Sequence, residues 1–324
     1  MFGKESLKRN DWLRRLVKKV KIYAEFMHDA SDFTKYYMES AEKKGNCNYR
    51  IMLLVHNLEK AMCRYGELRP FGYDKAQKLV DVLSCKSNNI GEFEYNLACK
   101  TLKAWVEFFK EQNWDAEKAI KIADKFLEVP CEGEAAGYKK IDNINQYIES
   151  QNIDDVIFSR YSVRDFQDRE LDKADIEYAI NAFIKAPTAC NRQMCKVYYI
   201  KDKSAHELLS NTILGVGGFN KDTVHYFIIT YDISAFDFFG ERNQGYLNTG
   251  LTAMNFANAL HARGIGSCFM QWSNRRSEDK NVRKILKLPE SERIGVVLGA
   301  GYYVETNIVP CSCRKAVSEV YQEI

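Results

Sequence analysis

Apolar residues recur three and four positions apart through the first part of the chain, which is the period of helices with one buried face. Proline and glycine rarely interrupt this pattern. After a basic first segment, the predicted helices cover residues 49–62, 74–83, 91–111 and 114–127. Asp74 and Asn113 are the expected N-caps of the second and fourth of these helices. The pattern therefore predicts an all-helical N-terminal region over residues 1–130.

The first segment predicts an amphipathic helix with a strongly basic face. Residues 4–21 contain eight Lys or Arg and two acidic residues. We favour a helix that packs on its own domain and leaves its basic face in solvent. Weak contact of residues 4–24 with a membrane surface or a partner is the alternative. The apolar stripe at helical spacing consists of Leu13, Leu16, Val17, Val20 and Ala24.

The pattern changes after a glycine-containing stretch that we interpret as a linker over residues 131–150. Two continuous apolar runs, residues 225–231 and 294–302, are typical of strands buried on both faces. Shorter strands are predicted at 197–200 and 267–272. Helices are predicted between these strands, at residues 172–185, 204–213, 245–263 and 277–286. The intermixing of helices and strands predicts an α+β fold.

Composition excludes several classes of protein. A hydrophobic content of 46% in 324 residues can form a substantial core, and a net charge of +3 does not indicate nucleic-acid binding. No run approaches the roughly 20 apolar residues that span a bilayer. The N-terminus lacks the apolar core of a signal peptide, so we expect a cytoplasmic protein with reduced thiols. The ten cysteines lack the spacing of a zinc site, and no metal site is predicted.

The segment Ser159–Phe166 carries the clearest chemical signal in the chain. It places Arg160 and Arg164 four residues apart, with the hydroxyl of Ser162 between them. Guanidinium groups donate paired, charge-assisted hydrogen bonds to phosphate, so this cluster suits an anionic ligand. The same spacing occurs at many solvated helix ends, and the segment alone leaves that interpretation open.

Three later segments favour the ligand interpretation. They are the Ala186–Gln193 loop, the turn at Gly264–Ser267 and the basic pair Arg314–Lys315. Together and in this order, the four segments resemble the FMN-dependent nitroreductase family over about residues 152–320. The resemblance implies a nitroreductase-like FMN-binding domain over residues 151–324, in which helices flank a β-sheet. It also implies a homodimer with two FMN sites at the subunit interface.

The resemblance implies two groups of cofactor-binding residues. In the first group, Arg160 and Ser162 match positions that hold the FMN phosphate and ribityl chain, and Arg164 matches a basic position near flavin O2. Arg314 matches a residue that returns to the phosphate. The complete first group is Arg160, Tyr161, Ser162, Arg164, Arg314 and Lys315.

The second group lies at the flavin ring. One loop in this family contacts the flavin of the partner subunit, and one turn lays its backbone along the ring. The matching residues here are Pro187, Thr188, Asn191 and Gln193 in the loop, and Ile265 and Gly266 in the turn. Two departures weaken the inference about substrate. Met194-Cys195 stands where Pro-Trp is frequent, and Tyr303 stands where proline is common after Gly-Tyr.

The activity implied by the resemblance is electron transfer from NAD(P)H, through flavin N5, to an electron-poor acceptor in a ping-pong cycle. The acceptor would be a nitro compound, a quinone or an enone, and the choice between NADH and NADPH stays open. No catalytic side chain is predicted, because the cofactor carries the chemistry. Two alternatives remain. One is a specialised flavin enzyme, an oxidase or reductive dehalogenase, with Cys190, or Cys311 and Cys313, as an electron relay. The other is a non-catalytic interaction protein that retains the fold.

Overall fold

The structure is a computed structural model. It describes residues 11–37, 47–62, 69–85, 89–131, 136–138, 153–213, 216, 219–270, 272, 276–305, 307 and 317–324. The N-terminal helices are α1 (Asp11–Tyr36), α2 (Cys47–Met62), α3 (Tyr73–Ser84), α4 (Glu92–Glu111) and α5 (Glu117–Leu127). This arrangement confirms the helical N-terminal region.

Helices α2–α5 form a core of their own around Trp105. The indole N–H of Trp105 donates a hydrogen bond to the carbonyl oxygen of Phe71 at 3.1 Å. Gly72 follows with φ +84°, and a Cβ there would lie 2.8 Å from Leu58 and 3.0 Å from the indole nitrogen. Glycine is therefore required where the chain turns into α3. The cap predicted at Asp74 is wrong, because α3 begins at Tyr73 and Asp74 lies within its first turn.

The cap predicted at Asn113 is also wrong. Asn113 lies in the turn that follows α4 and has φ +56°. Asparagine tolerates this left-handed region better than most residues, which suits it to the turn. Helix α5 begins only at Glu117. The carboxylate of Asp115 accepts a hydrogen bond from the Glu117 N–H at 2.9 Å, so the acidic residue supplies the acceptor that was expected of the asparagine.

The second part of the chain contains α6 (Ile153–Ser159), α7 (Lys173–Lys185), β1 (Cys195–Ile200), α8 (Lys203–Thr212), β2 (His225–Asp232), α9 (Gln244–Ala262), β3 (Ile265–Met270), α10 (Arg276–Ile285), β4 (Glu292–Tyr302) and α11 (Val317–Val320). The strands form an antiparallel sheet in the order β1-β2-β4-β3. Alternate residues of β2 point to opposite faces, and both faces are covered. Phe227 and Ile229 lie in a core formed with α7 and α9, whereas Tyr226 and Ile228 lie in a core formed with α8 and α10. The predicted α+β fold is confirmed.

The helical region contacts the sheet region through the last turns of α1 and the start of α2. Asp32 forms an ion pair with Arg293 at 2.6 Å, and Phe33 stacks on Phe236 with ring centroids 6.0 Å apart. The Tyr49 hydroxyl donates to the Asp232 carboxylate at 3.3 Å. Charged and aromatic contacts of this kind join the two parts directly and do not depend on the linker.

The first turns of α1 have a different environment. Trp12, Tyr23 and Met27 share one helix face and are about 70% exposed. The packing that we favoured for this helix therefore holds only for its C-terminal end. Within the described residues, no helix is both long and apolar enough to cross a bilayer.

Candidate functional site

The segment after α6 runs beside strand β3. Ser162 forms a parallel bridge with Ser267, and the Val163 N–H donates to the Ser267 carbonyl oxygen at 3.1 Å. The segment therefore extends the sheet edge at β3. This pairing brings the predicted Arg160–Arg164 segment against the predicted Ile265–Gly266 turn, so the structure unites two of the four sequence segments.

Two polar atoms at this junction are buried and have no hydrogen-bond partner within the described part of the chain. They are Nη1 of Arg160 and Oγ of Ser267. A buried, unpaired donor is costly, and a charged one more so. Such a pair of atoms at one junction is what a site for a polar, anionic ligand would present.

The residues predicted as a turn, Ile265 and Gly266, are the first residues of strand β3, and this start of the strand leaves little room for side chains. Gly264 has φ +73°, and a Cβ on Gly266 would lie 2.8 Å from the ring of Tyr303. Ile265 is fully buried between them. Gly266 is itself buried, and it must be a glycine because the Tyr303 ring occupies the space of a side chain.

The other residues of the arginine segment differ in exposure. Arg164 is half-buried, and its guanidinium carbon lies 5.9 Å from the ring centroid of Phe219. Its Nη1 donates to the Ser162 carbonyl oxygen at 3.4 Å, which is a long bond. Tyr161 is 46% exposed. The Arg164 guanidinium is therefore held only loosely, by this one long hydrogen bond, and its other N–H groups can donate to a ligand.

The Ala186–Gln193 loop has an unusual backbone. Cys190, Asn191 and Gln193 all have φ near +50°, which costs energy for residues other than glycine. The hydroxyl of Thr188 accepts the Gln193 N–H at 3.0 Å and closes the loop. As a result, Asn191 and Gln193 are exposed, as is Pro187. Strain that surrounding structure maintains is a frequent feature of binding loops.

A buried arginine holds this loop. Arg192 is 1% exposed and forms a two-pronged ion pair with Glu241, with one of its bonds 2.9 Å long. It also donates to the carbonyl oxygens of Ala189 and Ala235. Burial would raise the pKa of Glu241, but the Arg192 hydrogen bonds and charge, together with the Asp237 N–H, lower the pKa overall. The loop conformation therefore depends on one internal ion pair.

Helix α9 separates this loop from the arginine segment. The Ala189 N–H donates to Asn248 in the second turn of α9, at 2.8 Å. Ser159 instead contacts His261 in the last turn, with Oγ and Nε2 2.7 Å apart. At about 1.5 Å per residue, the two ends lie about 20 Å apart. The loop and the arginine segment therefore do not form one site within a single chain.

Two of the predicted residues, Arg314 and Lys315, lie outside the described residues, as do Cys311 and Cys313. The candidate relay Cys190 is half-buried, and its neighbour in the chain Cys195 is buried, which raises the pKa of Cys195. A raised pKa disfavours the reactive thiolate. Within the described residues, no group of three or more His, Cys, Asp or Glu is placed to hold a metal ion.

Arg192, His261 and Tyr303 are residues that the sequence pattern does not single out as site residues. Arg192 stands in a polar loop, and its acceptor Glu241 is 49 positions away, so no local pattern marks it as buried. The sequence marks Tyr303 only as a departure from a common proline. That departure could have identified Tyr303 as a site residue, because its ring lies against Gly266 and its hydroxyl contacts His261.

The sequence profile of the group described as the Nitroreductase family matches residues 157–217 and 240–302. The resemblance seen in the motifs is thereby confirmed over these residues. The matched residues include the arginine segment, the Ala186–Gln193 loop and the Gly264–Ser267 turn. The helical region lies outside the match.

Solved structures of similar proteins align with about half of the chain. An FMN-dependent nitroreductase from Clostridium difficile is 22% identical, with a TM-score of 0.45, and the alignment covers 52% of this chain and 98% of that one. A nitroreductase family protein from Streptococcus pneumoniae is 20% identical, with a TM-score of 0.46, and covers 53% of this chain and 100% of its own. No curated protein matches the chain significantly.

Proposed function

We propose that this protein is an FMN-dependent oxidoreductase that takes electrons from NAD(P)H and delivers them to an electron-poor small molecule. The observation that carries the proposal is the buried, unpaired Nη1 of Arg160, in the segment that pairs with strand β3 at Ser267. An anionic phosphate would satisfy that donor. The family match supports the same ligand.

The residues present fit FMN. Arg160 and Ser162 would hold the phosphate and ribityl chain, and Arg164 has free donors for the flavin O2 edge. Ile265 and Gly266 would lie along the ring, and Tyr161 would border it. When bound, FMN supplies the hydride chemistry at N5, alternating between NAD(P)H and a nitro compound, quinone or enone. The protein's part is to bind, orient and stabilise negative charge on the reduced ring.

A homodimer is part of the proposal. Leu247, Leu251 and Met254 form an exposed apolar stripe on α9, and a Cβ on Gly250 beside them would meet nothing. These features support a second copy packed against this face.

A twofold axis near Met254 would bring the loop of one subunit to the arginine segment of the other. Each site would then combine Arg160, Ser162 and Gly266 from one chain with the predicted loop residues of the other chain, which are Pro187, Thr188, Asn191 and Gln193. This arrangement accounts for the separation of about 20 Å along α9. It also explains why Asn191 and Gln193 are exposed in one chain.

The same proposal includes the domain organisation, with a helical region over residues 1–130, a linker over 131–150 and the FMN-binding domain over 151–324. It includes a cytoplasmic location. Arg314 and Lys315 are assigned to the phosphate on the sequence resemblance alone. Weak membrane-surface contact of residues 4–24 stays a prediction, which co-sedimentation of the whole protein with anionic vesicles would check.

The first test is cofactor binding and reduction. We expect the purified protein to bind FMN and the bound flavin to lose its absorbance when NADH or NADPH is added without oxygen. The nicotinamide that reduces the bound flavin faster is then assigned as the electron donor. A protein that binds no FMN would contradict the proposal and favour a non-catalytic interaction protein. Bound FMN that neither nicotinamide reduces would favour a specialised flavin enzyme.

The second test concerns the dimer. Light scattering at micromolar concentration is expected to give about twice the chain mass of 37.5 kDa. Replacing Leu251 with aspartate places a charge in the proposed interface and should give monomers with little flavin. Aspartate at Ile120, an exposed residue of α5 outside that face, is the control. A wild-type monomer that binds FMN tightly would contradict the shared site.

A further inference from the structure

A hydrogen-bonded chain of three side chains lies directly behind Arg160. The Tyr303 hydroxyl lies 2.7 Å from Nδ1 of His261, and Nε2 of His261 lies 2.7 Å from Oγ of Ser159. Ser159 is the last residue of α6, and Arg160 follows it. The chain therefore connects the end of β4 to the point at which the backbone leaves α6.

The three residues come from elements that are distant in sequence but fixed in the fold. His261 is in the last turn of α9, which packs on the sheet. Tyr303 follows β4, and its backbone pairs with Phe166. Its carbonyl oxygen accepts a hydrogen bond from the Gln167 side chain at 2.6 Å. Rigid elements at both ends make this chain suitable for positioning a neighbour.

The charges in this cluster are unbalanced. Burial and the nearby Arg160 charge lower the pKa of His261, so the imidazole is neutral at pH 7. Burial raises the pKa of Tyr303 more than Arg160 lowers it, so the hydroxyl keeps its proton. Among Ser159, Arg160, His261 and Tyr303, the guanidinium is thus the one charged group. The cluster orients Arg160 without neutralising it.

We propose that His261 and Tyr303 are positioning residues, whose hydrogen bonds fix the end of α6 so that the Arg160 guanidinium is aimed at the phosphate of the cofactor. This inference rests on the proposed function, because it assumes that Arg160 meets a phosphate. It explains why the buried Nη1 of Arg160 remains unpaired. It also gives a role to Tyr303, whose ring closes the space behind Gly266.

FMN and riboflavin differ only in the phosphate, so comparing them separates an effect on the phosphate from an effect on the flavin ring. Tyr303→Phe removes the hydroxyl and keeps the ring against Gly266. We expect it to weaken FMN binding about threefold to tenfold, the effect of one hydrogen bond, and to leave riboflavin binding unchanged. His261→Leu removes both bonds of the imidazole and should have at least the same effect. Fluorescence titration of the whole apoprotein with each ligand measures both.

The neighbouring tyrosine supplies a matched control. The Tyr302 hydroxyl lies 2.7 Å from the Asp175 carboxylate and 3.0 Å from the Asp172 carboxylate, away from Arg160. Tyr302→Phe also loses one hydroxyl, so it should affect stability but not the ratio of FMN to riboflavin affinity. A change in that ratio equal to the one in Tyr303→Phe would overturn the inference.

A double-mutant cycle gives the sharpest test. If Tyr303 acts through Arg160, Tyr303→Phe should have no further effect on the ratio in an Arg160→Ala background. Additive effects, or equal weakening of both ligands, would overturn the positioning role. If the wild-type protein binds neither ligand, the proposed function itself fails, and this outcome is distinct from a failure seen only in the variants.

Discussion

Replacing Arg192 with alanine is expected to lower the free energy of unfolding by about 3–5 kcal/mol, which is the cost of breaking a buried ion pair by removing one partner. The change removes the Arg192 hydrogen bonds from the Glu241 carboxylate and from the carbonyl oxygens of Ala189 and Ala235. The strained loop at Cys190–Gln193 would also lose its anchor. Urea unfolding followed by tryptophan fluorescence and circular dichroism measures the loss.

Arg263 provides the control for this prediction. It also forms an ion pair with a carboxylate, that of Asp175 at 2.7 Å, but its side chain is 46% exposed. Solvent screens such a pair, and Arg263→Ala should cost at most about 1 kcal/mol. Equal losses in Arg192→Ala and Arg263→Ala would show that burial of the Arg192 pair does not matter.

The Arg192–Glu241 pair also predicts a pH dependence. The folded pKa of Glu241 is lowered, so its contribution to stability is complete above its unfolded pKa of about 4.3. The contribution is lost as pH falls from there through the lower folded value. Wild-type protein should therefore lose more stability on acidification than an Arg192→Met variant, in which the pair is already absent. Parallel pH curves would contradict this.

Arg160→Ala is expected to weaken FMN binding about tenfold to a hundredfold, because a charge-assisted hydrogen bond contributes roughly 1.5–3 kcal/mol. Riboflavin binding should change little, since the lost partner is the phosphate. Arg314→Ala should have a similar effect if the sequence resemblance assigns Arg314 correctly. Titration of the apoproteins with both ligands measures each effect.

Two further variants define what Arg160 supplies. Arg160→Lys keeps the charge but not the planar fork, so its affinity should lie between those of wild type and Arg160→Ala. Arg169→Ala removes an arginine of the same region that is half exposed and paired with Asp172, and it should not affect FMN. Wild-type affinity in Arg160→Ala would exclude Arg160 as a phosphate ligand.

Much of the fold follows from periodicity in the sequence. The apolar run at residues 225–231 predicts the strand His225–Asp232 within one residue, because an unbroken run of this length is typical of a strand buried on both faces. The spacing and small residues of Gln244–Ala262 predict that helix equally well. Helix caps are less predictable. Asp74 and Asn113 have the right chemistry for caps, but the packing of Gly72 on Trp105 and the turn after α4 decide the boundaries.

The candidate site is predictable in part, for a physical reason. Ser162 and Ser267 meet through backbone pairing, and the sequence motifs mark the arginines and the glycine beside that pairing. The contacts of Arg192 and of His261 join residues tens of positions apart, and no spacing in the sequence encodes them. Such contacts depend on how α9 lies on the sheet, which only the three-dimensional structure provides.

The arginine segment and the Ala186–Gln193 loop lie at opposite ends of α9, so each proposed flavin site takes one of them from each chain. This arrangement has a genetic consequence. In the proposed dimer, a chain altered at Arg160 and a chain altered at Asn191 each spoil both sites of their own homodimer. When the two chains pair with each other, both alterations fall in one site, and the other site is wholly wild type. The two defective alleles should therefore complement one another, because each mixed dimer has one intact site of two and neither homodimer has any.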